Sequence, residues 1–273
     1  MRPESSAGGE VANHHPAMPA EAPHSVGPAS SAPRAGQIAR LTILLFAVAP
    51  AVRWAIVYCS VPTGQQWQRA CPHCATEIGT SNWLPLTPRG RCGHCRRRIG
   101  APPWTAEVLL LLAAGACSTL PPWIIPAYAW WAATGTALCL IDIAVHRLPD
   151  RLTWPAAGGF LLLAGLAAPH GYSGAWLRAS LSAVLMSVVL GACTLLFPRG
   201  LGRGDAKYGA AIGAAAGWTS WLAVYAATVT ATLLGALAGI VLVIARQASR
   251  RTQLPFGPFL FLGTMLVVAF LNL

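Results

Sequence analysis

The three aspartates of this 273-residue chain each lie beside the end of an apolar segment, at Asp142, Asp150 and Asp205. Ionisable groups at a bilayer are costly and therefore rare, so each of the three is a candidate functional residue. Two carboxylates that meet between helices can share one proton. The ionised one can then activate water while the protonated one hydrogen-bonds a peptide carbonyl. These residue types therefore indicate an aspartic-protease pair.

Asp142 and Asp150 belong to the same short stretch but receive different interpretations. Asp142 closes an apolar run, and we favour a functional role over an ion pair with His146 or Arg147 on the next helical turn. Asp150 follows Pro149, which ends the preceding helix. Asp150 suits an N-cap, so we expect it to support the site rather than to catalyse.

Asp205 lies in the sequence Gly-x-Gly-Asp, where Gly202 and Gly204 free the backbone to bend. A stripe of small residues follows it every four residues, which allows close helix approach in a membrane; its members are Gly209, Gly213 and Gly217. We expect this stripe to press Asp205 against the helix that ends in Asp142. Lys207 is expected to tune the site or to bind an acidic group of the substrate, the alternative being a snorkelling anchor.

A second candidate site consists of two C-x2-C pairs separated by 17 residues, namely Cys71 and Cys74, then Cys92 and Cys95. Two such pairs at this separation are typical of a tetrahedral structural zinc site. His73 and His94 lie inside the pairs and are alternative ligands, and two disulfides are the alternative to a metal. Four protein ligands leave no open position for catalysis, so we expect the zinc to fold the loop.

The elements that must position these groups are apolar helices. Hydrophobic residues make up 55% of the chain and charged residues 10%, against roughly 25% charged residues in soluble domains. Segments long enough to span a bilayer lie at 37–58, 104–120, 123–142, 152–168, 176–197, 219–245 and 256–272, with a shorter one at 206–217. We predict an all-α polytopic membrane protein with seven or eight transmembrane helices and a small cytoplasmic four-cysteine zinc-binding loop.

The composition also divides the chain. Residues 1–36 are rich in Pro, Ala, Ser and Gly and are expected to form a disordered tail. We expect a first transmembrane helix at 37–58, the zinc loop at 59–103 and a polytopic membrane domain at 104–273. A charged region followed directly by an apolar core is missing, so we expect no cleaved signal peptide.

The net charge of +11 is concentrated in alternate loops. With eight helices one side holds Arg89, Arg91, Arg96, Arg97, Arg98, Arg147, Arg151, Arg199, Arg203, Lys207, Arg246, Arg250 and Arg251. The other loops hold almost only Arg178, although Arg34 and Arg40 depart from the pattern. Basic residues in short loops mark the cytoplasmic side. We therefore expect a multi-pass plasma membrane protein with its cysteine loop and aspartates facing the cytoplasm.

The expected partners include membrane lipid, and nucleic acid is not expected. The basic charge is interpreted mainly as a topology signal, and direct binding of acidic lipid or DNA by these basic residues is the lesser interpretation.

Together these motifs resemble those of the bacterial prepilin peptidases, or type IV leader peptidases, which are aspartic proteases of the GxGD type. The resemblance runs from about residue 41 to the C-terminus. In family order, its motifs are the two cysteine pairs with Arg96-Arg97-Arg98-Ile99, then Asp142 with Leu148-Pro149-Asp150, then Gly202-x-Gly204-Asp205-x-Lys207, then Pro255-Phe256-Gly257-Pro258.

The resemblance implies a catalytic pair of Asp142 and Asp205. It also implies prepilin or pseudopilin substrates, of type IV pili or of protein secretion, whose basic leader is cut on the cytoplasmic side. Many members also methylate the new N-terminus with S-adenosylmethionine, an activity linked to the cysteine loop. Glu107 matches a family glutamate. The segments Arg53-Trp-Ala-Ile-Val-Tyr58 and Asn82-Trp-Leu-Pro85 follow the family only loosely, so the sequence favours the peptidase over the methyltransferase.

Three other functions compete with this hypothesis. A proton- or cation-coupled transporter would use the paired aspartates, but is expected to hold them near mid-bilayer on broken helices. A membrane-anchored zinc-ribbon binding protein would leave the aspartates and the glycine stripe without a role. A broader intramembrane peptidase shares the GxGD chemistry but is not expected to carry the cysteine loop.

Overall fold

The computed structural model describes residues 32–62, 65–79, 83–196, 202–246 and 254–271. Within these ranges the chain forms α1 (Ala32–Cys59), α2 (Thr105–Ala116), α3 (Ile125–Val145), α4 (Asp150–Gly165), α5 (Ser173–Leu196), α6 (Arg203–Thr219), α7 (Trp221–Ile244) and α8 (Gly257–Leu271). The described residues contain no β-strand, only two isolated bridges in the cysteine loop. The predicted all-helical class is therefore confirmed.

Four of the helical stretches are long and apolar enough to cross a membrane, by length and composition, and they are Gly36–Cys59, Pro122–Val145, Ser173–Leu196 and Trp221–Ile244. Two shorter helices, α2 and α8, are also apolar. The most apolar 18-residue stretch of Pro122–Val145, which contains α3, is 72% buried, whereas that of α7 is only 11% buried. The helix that holds Asp142 is thus the most enclosed of the four. The number of membrane crossings stays a prediction.

The predicted tail lies largely outside the described residues, which begin at Ala32, and α1 starts there rather than at 37. Four of the arginines used for the topology argument, Arg34, Arg199, Arg250 and Arg251, have side chains outside the described part, and Asn82 lies outside it too. The division into tail, first helix, loop and membrane domain stays a prediction.

The glycine stripe of α6 packs against α5. A Cβ atom at Gly217 would lie 2.5 Å from the side chain of Ser182, and one at Gly209 would lie 3.1 Å from the carbonyl oxygen of Met186. Gly213 also faces the backbone of Ser182. The expectation that this stripe presses on the helix ending in Asp142 is therefore wrong, because small residues permit close approach without specifying the partner.

Helices α6 and α8 contact α3 at Gly135, a glycine that belongs to α3 itself. A Cβ atom at Gly135 would lie 2.5 Å from the ring of Phe261 on α8 and 3.1 Å from the hydroxyl of Tyr208 on α6. Both neighbouring side chains are fully buried. Gly135 therefore lets α6 and α8 approach the helix that holds Asp142.

Candidate active site

Asp142 lies one turn before the end of α3 and is 5% exposed. Its Oδ2 accepts a 3.0 Å hydrogen bond from the backbone N–H of Gly257, the first residue of α8. The N-terminal end of a helix carries partial positive charge, which favours a carboxylate there. The alternative ion pair with His146 or Arg147 does not occur in the described structure, where Arg147 instead donates to the carbonyl of Pro62.

Asp205 is the third residue of α6 and is 7% exposed. Its Oδ2 accepts a 3.0 Å hydrogen bond from the N–H of Gly202, and its own N–H donates to the Gly202 carbonyl at 3.1 Å. This reciprocal pair fixes the carboxylate in the first turn of the helix. The predicted glycine-rich turn therefore holds the side chain in place.

The two glycines of this turn are needed for close packing rather than for bending. Gly202 has φ −82°, which any residue can adopt. A Cβ atom at Gly204 would lie 2.8 Å from the Cβ of Leu148, and one at Gly202 would lie 3.3 Å from Oδ2 of Asp205. The segment that follows α3 thus rests directly on the Gly-x-Gly-Asp turn, which corrects the expected reason for these glycines.

Asp142 on α3 and Asp205 on α6 are both buried, and these two helices contact each other at Gly135 and Tyr208. In the described part of the chain, the hydrogen bonds found for these carboxylates engage only the Oδ2 atom of each. The Oδ1 atoms therefore remain available to water or to a polar group of a substrate. Both residues that the sequence assigned to the pair are therefore buried and fixed at helix ends, and their pairing stays a prediction.

Asp150 does not cap α4 with its side chain. Pro149 occupies the cap position, no side-chain cap bond is made, and Asp150 is the first helical residue. Its two carboxylate oxygens each lie 2.7 Å from Nζ of Lys207. The predicted N-cap is therefore wrong, and Asp150 instead forms an ion pair with Lys207 that joins α4 to α6. Their side chains are 58% and 35% exposed, so we expect this pair to stabilise little.

The four predicted zinc ligands are gathered in one cluster, in which the Sγ atoms of Cys71, Cys74, Cys92 and Cys95 all lie within 4.8 Å of one another. Two of these distances, Cys71 to Cys95 and Cys74 to Cys92, are 3.7 Å. A tetrahedral site with Zn–S bonds of about 2.3 Å has sulfur atoms about 3.8 Å apart. The donor set therefore fits zinc, whereas His73 and His94 are not members of the cluster.

Both cysteine pairs fold into the same tight turn. The N–H groups of Ala75 and Arg96 donate to the carbonyls of Cys71 and Cys92, at 2.9 and 3.1 Å. Ala75 and Arg96 both have positive φ, of 56° and 59°. These backbone hydrogen bonds give both cysteine pairs the same local geometry.

A buried ion pair that was not predicted from the sequence connects the loop to the helices. Arg53 and Glu107 are 1% and 2% exposed and share two hydrogen bonds of 2.6 Å. Arg53 also donates a 3.0 Å bond to the carbonyl of Pro88 in the cysteine loop. The signal in the sequence was a charged residue inside each of two apolar segments.

The profile of the type IV leader peptidase family matches residues 127–271, which is 145 of 273 residues and so more than half of the chain. The chain belongs to the type IV leader peptidase family. The matched region covers α3 to α8 apart from the first residues of α3, and includes both Asp142 and Asp205.

Three relatives, each named prepilin leader peptidase/N-methyltransferase, support the assignment. Those of Burkholderia pseudomallei strains 1026b and K96243 are 35% identical over 151 residues, which is 50% of this chain and 47% of each relative. That of Aeromonas hydrophila is 34% identical over 197 residues, which is 70% of this chain and 67% of the relative. The chain thus spans about half the length of the Burkholderia relatives. No solved structure matches it significantly.

Proposed function

We propose that this family member is a membrane aspartic endopeptidase that removes the leader peptide of type IV prepilins or pseudopilins. The observation that carries the proposal is that Asp142 and Asp205 are both buried acidic residues at helix ends, each held through Oδ2 by a backbone N–H. The family membership and the names of the relatives support the same activity.

The pair works with one proton between the two carboxylates. The ionised carboxylate takes a proton from water as the water oxygen attacks the scissile carbonyl carbon. The protonated carboxylate donates its hydrogen to the carbonyl oxygen. When the tetrahedral intermediate breaks, the proton taken from water passes to the leaving amine, and the other carboxylate takes a proton back from a hydroxyl of the intermediate as the carbonyl reforms, so the pair returns to its starting state. Which aspartate holds the proton first does not change this balance.

The transporter alternative is disfavoured by where the carboxylates lie. Asp142 is one turn from the end of α3 and Asp205 is the third residue of α6. Transporter sites lie near the bilayer midplane on interrupted helices. The zinc-ribbon alternative gives no role to a buried pair of aspartates on facing helices.

The zinc cluster has a structural role in this proposal. Among the described residues, the buried members of the loop's small apolar cluster are Val57, Ile99, Cys71 and Cys92, with Ile78, Cys74 and Cys95 partly buried against them. So small a core does not hold a loop folded alone, and metal binding would supply the missing free energy. The basic residues near the candidate site support a position on the cytoplasmic side of a multi-pass protein.

N-methylation of the new N-terminus is the second activity that we propose, because the relatives carry N-methyltransferase in their names. A cavity of about 350 Å³ between α1 and the cysteine loop is lined by Trp54, Tyr58 and Glu77, among others. Aromatic rings attract a sulfonium cation, and a carboxylate accepts hydrogen bonds from ribose hydroxyls. These residues fit S-adenosylmethionine, which would supply the methyl group.

Co-expression with a pilin-like precursor tests the proposed function. We expect a product shortened by the leader alone, with its new N-terminus located by mass spectrometry, and a 14 Da increase where methylation follows. A cut inside the apolar helix would indicate the broader intramembrane peptidase. An uncut precursor, in a preparation whose folding is verified, would contradict the proposal.

A further inference from the structure

A cavity beside the candidate pair has a composition that the peptidase reaction does not explain. Its volume is about 390 Å³, and it is lined by Trp67, Arg147, Leu148, Asp150, Arg151, Arg203, Gly204 and Lys207. Gly204 immediately precedes Asp205, so the cavity lies next to the Gly-x-Gly-Asp turn. Four of the lining residues are cations and one is an anion, a net charge of 4 − 1 = +3.

The positive charge of this cavity is not neutralised by the described protein. Its one carboxylate, Asp150, is already paired with Lys207. The remaining described acidic residues act elsewhere: Glu107 pairs with Arg53, Asp142 and Asp205 accept backbone N–H groups, and Glu77 lines the cavity between α1 and the loop. Among the described residues, three guanidinium groups of the cavity therefore have no carboxylate partner.

The arginines are held in place by an aromatic ring. The Cζ atoms of Arg147 and Arg151 each lie 5.4 Å from the ring centroid of Trp67. Two like charges beside one ring repel each other, and a bound anion would reduce that repulsion. Arg147 gives one N–H to the Pro62 carbonyl, and a guanidinium group has further N–H donors with which it can bind an oxyanion.

Two helix ends add to the positive potential. Asp150 is the first residue of α4 and Arg203 is the first residue of α6, and both line the cavity. The first N–H groups of a helix carry partial positive charge and favour phosphate groups. The cationic character thus comes from side chains and backbone together.

We propose that this cavity binds a phosphate group, carried either by an anionic lipid headgroup or by a soluble phosphate compound. A basic leader peptide is the wrong charge for it, and the volume suits a small ligand. The site does not depend on the proposed peptidase chemistry, since none of the arginines belongs to the candidate pair.

The test uses the purified full chain in a neutral detergent and two probes. Short-chain phosphatidylglycerol is titrated and its binding followed by native mass spectrometry. Inorganic phosphate is titrated and followed by phosphorus NMR line broadening. The cavity variant is Arg147→Gln/Arg151→Gln, and the matched control is Arg98→Gln/Arg246→Gln, which removes two exposed arginines outside the cavity.

We expect the wild type and the control to bind at least one probe, and the cavity variant to bind it about tenfold more weakly, as loss of a charge-assisted hydrogen bond predicts. Arg151→Lys keeps the positive charge but lacks the forked N–H donors of the guanidinium group, so its affinity for the probe should lie between those of the wild type and the double variant. This single variant provides the test if the double variant does not fold. If the cavity variant loses affinity for phosphatidylglycerol alone, the ligand is a lipid headgroup. If it loses affinity for both probes, the phosphate group itself is what the cavity recognises. Equal affinities of cavity variant and control for both probes would overturn the proposal.

Discussion

The N–H of Gly257 donates a 3.0 Å hydrogen bond to Oδ2 of Asp142, across 115 residues of sequence. A Cβ atom at Gly257 would lie 2.9 Å from the same oxygen. The last helix therefore begins directly against one of the two candidate catalytic carboxylates. The Pro-Phe-Gly-Pro motif at 255–258 gains a physical role from this contact, because it sets where Asp142 points.

Gly257→Ala should reduce cleavage through displacement of Asp142. The added methyl group must push the carboxylate aside, and a misplacement of about 1 Å can cost about 100-fold in rate. We expect kcat to fall by about 10- to 100-fold with KM little changed, measured from initial rates on a leader-bearing peptide. Gly158→Ala is the control, since a Cβ there meets nothing within 4 Å. An unchanged kcat in Gly257→Ala would show that the contact does not position Asp142.

Removing one partner of the Arg53–Glu107 pair should destabilise the fold. Both side chains are almost fully buried, and an unpaired buried charge costs about 3–5 kcal/mol. Glu107→Ala should therefore lower the free energy of unfolding in detergent by about that amount. The double variant Arg53→Met/Glu107→Leu should recover much of the loss.

The exposed pair provides the comparison for this measurement. Asp150→Asn breaks the contact with Lys207, which is worth at most about 1 kcal/mol at such exposure. Equal losses in Asp150→Asn and Glu107→Ala would mean that burial does not distinguish the two pairs.

Removal of the metal should unfold the cysteine loop and leave the helices intact. We expect one zinc per chain by elemental analysis, lost with a strong chelator or in Cys71→Ser. Limited proteolysis should then cut between the cysteine pairs, because the loop's apolar cluster is built largely from the ligands themselves. Cys193→Ser, in α5 and outside the cluster, should retain zinc and protection. A zinc-free loop that resists protease would contradict a structural role for the metal.

Sequence patterns predicted the elements better than the contacts between them. Each apolar segment contains a helix, because the cost of unpaired backbone groups in an apolar environment leaves few other choices. The cysteine spacing predicted the cluster, because ligand geometry is local. Both depend on residues that are close in sequence.

The failures concern partners distant in sequence. The stripe beginning at Gly209 permits close packing on any smooth helix, and α5 rather than α3 is its partner. The Arg53–Glu107 pair joins residues 54 positions apart, and the Gly257 contact involves a backbone N–H that no side-chain pattern can reveal. Asp150 resembled a cap, but helix α4 begins one residue earlier than that role requires, so its carboxylate turns to Lys207.

Side-by-side processing of a pilin-like precursor by Asp142→Asn, Asp205→Asn and Asp150→Asn measures whether Asp142 and Asp205 together cleave the leader. An amide keeps the size and the Oδ acceptor of each carboxylate but cannot serve as a base. We expect processing to be lost in Asp142→Asn and in Asp205→Asn and to be retained at least in part by Asp150→Asn. Wild-type processing by either Asp142→Asn or Asp205→Asn would contradict it.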